Sequence, residues 1–196
     1  MNFFYNLKVS LKLGVLVLIA FFSLLSIGFI GYYYIGKTND SLNLMYTDRL
    51  LPVKDINQIA TGITKANTVV MQLMLTTDDA KKEQLIKELA DIGKDSNELY
   101  KELETMHLDP KGKALLDKLQ ASRVVYRDTR AQVIELARKN KNAEAYALYM
   151  EKVDALAKEY IKNCDALSAH YTTLSKQMDQ DTSAEEVVVK RTLLGL

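Results

Sequence analysis

One cysteine, two prolines, eight glycines, two histidines and no tryptophan are spread over 196 residues. A single thiol, Cys164, excludes an internal disulfide framework and any multi-cysteine zinc site. So few glycines and prolines leave little material for the turns of an all-β or loop-rich fold. His107 and His170 fall in different segments with no second histidine at ligand spacing, so no metal site is expected. Charge of one sign is not in excess either. Lys and Arg number 26 against 25 Asp and Glu, which gives no bulk attraction to nucleic acid. Phosphate-binding loop, paired-histidine zinc motif, dinucleotide fingerprint and kinase signatures are all missing from the sequence. Neither an enzyme nor a cofactor is expected.

What is present begins with a run without charge. Leu13 to Ile35 holds no charged residue and contains 14 Leu, Ile, Val or Phe. At ~1.5 Å per residue a helix of this length crosses a ~30 Å hydrocarbon core. Tyr32, Tyr33 and Tyr34 stand where an aromatic belt meets the headgroups. Lys8 and Lys12 precede the run with no acidic residue, which predicts a cytoplasmic amino terminus and export of the rest. Ser26-Ile27-Gly28 would serve as a signal cleavage site, but the apolar run exceeds a usual signal core, so an uncleaved anchor is expected. The expected organisation is a tail over 1–12, a transmembrane helix over 13–35, a soluble domain over 36–182 and an incomplete tail over 183–196. The location that follows is the inner membrane, single-pass, with the soluble domain in the periplasm or outside the cell.

Three turn signals divide the soluble part: Thr76-Thr77-Asp78-Asp79, Leu108-Asp109-Pro110 and Lys139-Asn140-Lys141-Asn142. Between them run four apolar stripes with alternating steps of three and four. The first carries Leu42, Met45, Ile56, Ile59, Ile63, Ala66, Val70 and Leu73, interrupted by Arg49 and by Pro52, which predicts a bend. The second carries Leu85, Leu89, Ile92, Ser96, Leu99, Leu103 and Met106, and the third Leu115, Leu119, Ser122, Tyr126, Thr129, Val133 and Leu136. The fourth runs unbroken through Tyr146, Met150, Val153, Ala157, Tyr160, Cys164, Leu167, Tyr171, Leu174 and Met178. The spacing predicts an all-α fold, a transmembrane helix followed by an antiparallel up-down-up-down four-helix bundle. A second apolar line on the first helix, through Tyr46, Leu50, Val53, Ala60, Met71 and Met74, predicts a homodimer in the membrane.

The opening NLKVSLKLGVLVLIAFFSLLSIGFIG and the stretch MYTDRLLPVKDINQI resemble the sensory half of bacterial methyl-accepting chemotaxis receptors. The resemblance covers the whole chain and implies an extracytoplasmic module that senses a ligand and passes a helix displacement across the membrane. Similar bundles serve sensor kinases and cyclic-dinucleotide enzymes, and a membrane-anchored adaptor bundle binding a protein partner is the alternative of another class. Such receptors continue into a second span, whereas VVVKRTLLGL is too short and too charged to cross, so a fragment or truncated reading frame is expected. The resemblance further implies a small-molecule ligand, or a periplasmic binding protein, clasped by basic residues near the top of the bundle. Lys65, Asn67 and Gln72 on the first helix, with Arg127 and Arg130 on the third, are the candidate ligand contacts. Membrane lipid is the remaining expected partner.

Overall fold

The computed structural model describes residues 8–106 and 108–194, and every regular element among them is helical. The chain falls into two compact units, Met1–Leu44 with Asp179–Leu196, and Met45–Met178. His107 and the first seven residues of the expected tail lie outside the described residues.

In the first unit, α1 (Val9–Met45) contains the charge-free run. Among the described residues one helix, near the amino terminus, is long and apolar enough to cross a membrane, and none of its apolar window is buried. Phe21, Phe22, Leu24 and Leu25 each leave more than half of their surface uncovered. In water that much exposed hydrocarbon is costly, at roughly 25 cal/mol per Å². Lipid removes the cost.

The second unit is a four-helix bundle. A π-helical turn (Tyr46–Leu50) leads into α2 (Leu51–Leu75), followed by α3 (Asp79–Thr105) and α4 (Pro110–Arg138). The fourth helix is composite: α5 (Asn142–Leu148), a second π-helical turn (Tyr149–Val153), then α6 (Asp154–Leu194). All three turn signals do what their residues dictate. Asp78 caps α3 by accepting from the Ala80 and Lys81 N–H groups. Pro110 opens α4, where its missing N–H costs nothing. Asn140 takes the left-handed conformation, φ 62°, that ends α4.

Side-chain ties at three heights fix the antiparallel order. Lys82, buried near the start of α3, donates to Asn140 Oδ1 at the α4–α5 turn. The hydroxyls of Tyr100 on α3 and Tyr160 on α6 meet at 2.9 Å in mid-bundle. Asp109, before α4, pairs with His170 Nε2 of α6 at 2.8 Å. Beside that last pair Tyr171 lies fully buried with its hydroxyl against Gly112, and any Cβ there would collide with it.

The stripes of the first three helices become the core, with Ile56, Ile59, Val70, Leu73, Leu85, Leu103, Leu119 and Val133 at most 1% exposed. Each large apolar side chain so buried contributes roughly 1.5–3 kcal/mol. In the third helix Leu116 and Ala137 are buried, while Leu115 and Leu136 of the expected stripe are only partly covered. Three further features differ from the expected pattern. Leu42 is exposed and so lies off the stripe. Met74, assigned to the second apolar line, is buried in the bundle's own core and widens it. The third is a slip in the fourth stripe. Tyr146 and Met150 are half exposed, and Ala145 and Tyr149 take the buried places instead. The π turn is the reason: it inserts one residue, so the core face steps back from Val153 by four and four rather than three and four.

Pro52 is accommodated by a feature that the sequence did not show. It is buried and stands two residues after the end of the first π turn, in which the Leu51 N–H reaches the Tyr46 carbonyl five residues back. A proline ring in an α-helix strikes the carbonyl four residues earlier. Here that residue is Asp48, inside the wider turn, so the proline is accommodated by a local change of helix type.

Candidate functional site

Polar groups gather in the middle of the bundle, where α4 presents Arg123, Arg127 and Arg130. Steps of four and three place them on one face of the helix. All three line a groove of about 290 Å³ together with Lys94, Gly93, Ser96 and Asn97 of α3, Gly62 and Ile63 of α2, and Tyr126 and Tyr160. Four cationic side chains line it and no carboxylate does. The floor is apolar and aromatic, from Ile63, Ile92, Tyr126 and Tyr160. A Cβ built at Gly93 meets nothing within 4 Å, so the absence of a side chain there leaves space open.

The arginines are held by aromatic rings and by neighbouring acceptors. Arg123 lies 4.1 Å from the Tyr100 ring centroid and donates to Asn97 Oδ1. Arg130 lies 5.0 Å from the Tyr126 centroid and donates through Nη1 to the Tyr126 hydroxyl at 3.3 Å. Its Nε is sealed from solvent with no hydrogen-bond partner among the described residues. A buried donor left unpaired costs roughly 1–3 kcal/mol. Arg127 is exposed and bonded through Nε and Nη2 to Asp128 Oδ1, both at 3.1 Å, so part of its charge is already answered.

The tyrosines stay neutral. Burial, then the Tyr160 hydroxyl beside it, pushes the Tyr100 phenol well above its ordinary range. Burial raises Tyr160 to about 12. Tyr126 is also raised by burial, against the opposing pull of Arg130. Charge in the groove is therefore carried by guanidinium and ammonium groups alone. Such a lining suits an acceptor-rich anion with an apolar body.

The structure brings together some of the residues expected from sequence and separates others. Arg127 and Arg130 line the groove. Asn67 stands at its edge, half-buried, and accepts from the Tyr126 hydroxyl at 2.7 Å. Lys65 does not join the arginines. It lines a neighbouring groove of about 410 Å³ between α2 and α3, beside Asp95, Glu98 and Glu102. Gln72 is exposed and lines neither groove. Arg123, Lys94, Gly93 and Tyr160 went unassigned to a site from sequence. The signal for Arg123 was present in its spacing from Arg127 and Arg130. A glycine inside the strongly helical second segment was the signal for Gly93.

At the opposite polar cluster burial pushes the Asp109 carboxyl up, but the hydrogen bond and charge of His170 and the N–H groups of Gly112 and Lys111 outweigh it. Asp109 stands below the usual carboxylate range. Arg49 and Asp48 of the first π turn lie near enough to Tyr171 to act on its hydroxyl, which burial raises to about 12.

No curated protein matches this chain. Residues 6–185 match the family described as a four helix bundle sensory module for signal transduction. That is nearly the whole chain, and with the bundle and the anchor-like helix already described it settles the class: the protein belongs to this family of sensory modules.

Proposed function

We propose that the bundle senses a small anionic molecule in the groove of Arg123, Arg127 and Arg130, and hands a helix displacement to its membrane anchor as the input of a chemotaxis receptor. The observation that carries this reading is the buried, unpartnered Arg130 Nε in a wholly cationic groove with an apolar floor. Of the buried polar groups without a partner among the described residues, Arg130 Nε is the one that belongs to the groove's lining. A carboxylate would accept from the guanidinium groups, with its hydrocarbon part against Ile63, Ile92 and Tyr126. Lys8 and Lys12 support an amino terminus in the cytoplasm and a bundle outside it. Tyr46 and Leu50, exposed on the first helix, support a homodimer in the plane of the membrane.

Thermal unfolding of the full chain with sodium benzoate, succinate or phosphate tests the groove. A ligand present at 100 times its Kd stabilises by ~2.7 kcal/mol, which is several degrees for a bundle of this size. Gly93→Leu should fill the open space and abolish the ligand-induced shift. Its own Tm should hold or rise, because glycine is a poor helix former and nothing obstructs a Cβ at 93. An undiminished shift in Gly93→Leu would place the ligand elsewhere, and no shift with any of the three anions would remove the reading.

A further inference from the structure

The slip in the fourth helix leaves this segment with two apolar faces. Stepping back from Val153 by fours gives Tyr149 and Ala145, which are 6% and 0% exposed. Stepping back as an uninterrupted α-helix, by three and then four, gives Met150 and Tyr146, which are 52% and 50% exposed. Both pairs suit a core. The buried pair depends on the π turn, whose hydrogen bonds run over five residues, as in the Asp154 N–H to the Tyr149 carbonyl. Such turns are rare and concentrate at functional sites. No proline occurs after Pro110, so nothing in this helix forbids the α form.

We propose that Asn142–Val153 exchanges between two registers, a π register burying Ala145 and Tyr149 and an α register burying Tyr146 and Met150. Passing from one to the other shifts α5 by one residue, ~100° of rotation and ~1.5 Å along the axis. The segment is suited to this. α5 is seven residues long and begins after the short turn at Lys139–Lys141, so it moves as one piece. Methionine, which would enter the core in the α register, adapts its shape to irregular space. The π turn packs on α4, the helix that carries Arg123, Tyr126 and Arg130. Burial raises the Tyr149 phenol, and Asp154 and Tyr126 raise it further, which puts this ring within electrostatic reach of the groove's own tyrosine. An occupied groove would then select one register, a step that rests on the groove being the ligand site. Exchange itself requires no ligand.

Thiol labelling of the full chain in lipid nanodiscs, without ligand, decides the matter. Cys164 is the only native thiol, 1% exposed on α6, and burial raises it to about 12, so a maleimide reaches it only when the bundle opens. Ala145→Cys in a Cys164→Ala background reports the α register, in which position 145 turns outward. Each rate is divided by that of the same thiol in the urea-unfolded chain. A minor state populated at 0.1–10% makes Ala145→Cys label at least about tenfold faster than Cys164. Deleting Glu151, an exposed residue within the turn, puts Tyr149 and Ala145 three and seven residues before Val153, so the buried pair now fits an α-helix. The deletion should fold with the native Tm and bring the Ala145→Cys rate down to that of Cys164.

Equal rates for the two thiols in the undeleted chain overturn the proposal. A fast rate that survives the deletion also overturns it, because local fraying then explains the access. A deletion variant that fails to fold overturns it as well, since an α path through this segment would then be inaccessible. Failure of all anions to bind strikes the groove and leaves these outcomes standing.

Discussion

Two π turns interrupt the same bundle, and they are held in different ways. The turn at Tyr46–Leu50 is followed two residues later by Pro52, and Asp48 and Arg49 within it are half-buried near Tyr171. Reverting it to α would drive the proline ring into the Asp48 carbonyl. The turn at Tyr149–Val153 has no proline and faces α4 with apolar residues on both available registers. The same insertion of one residue is thus a fixed joint in one helix and an optional one in the other. What distinguishes them is chemistry around the turn rather than the turn itself.

The largest test of that contrast is a pair of substitutions one residue apart. Ala145→Asp makes the buried place at 145 untenable for a carboxylate and should drive the segment into the α register, at a cost set by the gap between the two registers, about 1.4–4 kcal/mol. Tyr146→Asp, on a half-exposed residue, should change stability by less than about 0.5 kcal/mol. Urea unfolding followed by circular dichroism measures both, and the reverse ranking would show that the fourth helix has no slip.

Next in size is Gly112→Ala, at the end of the bundle where the first π turn sits. The new methyl would meet the Tyr171 hydroxyl and approach Asp109 Oδ1 at 2.8 Å. Overpacking of this kind costs roughly 1–3 kcal/mol. Tyr171→Phe should return much of the loss, since its hydroxyl is buried without a hydrogen-bond partner among the described residues. Equal Tm values for Gly112→Ala and the parent would mean that this end yields as readily as the other.

Pro52→Ala restores an N–H and removes the clash that forbids the α form. A gain of about 1 kcal/mol is expected from the added hydrogen bond. It should appear as slower amide exchange across Tyr46–Asp55. Unchanged exchange would show that the neighbouring charges, and not the proline, hold the first turn.

The smallest effect belongs to Asp109→Asn. The Asp109 side chain is 34% exposed, so solvent screens its pairing with His170 and the contribution stays below about 1 kcal/mol. Its folded pKa is depressed, so the contribution is present above the unfolded value near ~3.9 and is lost as pH falls through the folded one. The Tm gap between parent and Asp109→Asn should therefore be present at about pH 5 and close as pH falls below about 4. A gap that persists in acid would assign it to packing.

Much of the fold was legible because helical periodicity and caps are local signals. Ile56 to Leu73, Leu85 to Leu103 and Val153 to Tyr171 obey the three-and-four rule, and Asp78, Pro110 and Asn140 end helices by known backbone preferences. The slip at Tyr146 and Met150 was hidden because a π turn has no residue signature, and both registers read as apolar. Of the groove, Arg127 and Arg130 were legible as cations at helical spacing. That Lys65 lines the neighbouring groove was not legible, because spacing along α2 does not say which side of a helix faces which neighbour. That is decided by packing, which sets Lys65 opposite Asp95 and Glu98.

The turn at Tyr149–Val153 also bears on how this family can change over generations. A bundle core ordinarily rejects the loss or gain of a single codon, because every side chain beyond it changes face. Here both faces of the segment are apolar, so a codon lost between Tyr149 and Val153 leaves a usable core. Length variation by one residue should therefore accumulate among descendants at this place and be purged from the end of α3, where Leu103 is followed by Glu104 and has no apolar understudy one residue further on. Lys101 to Glu104, with charged neighbours on either side of Leu103, shows what such a shift would carry into the core.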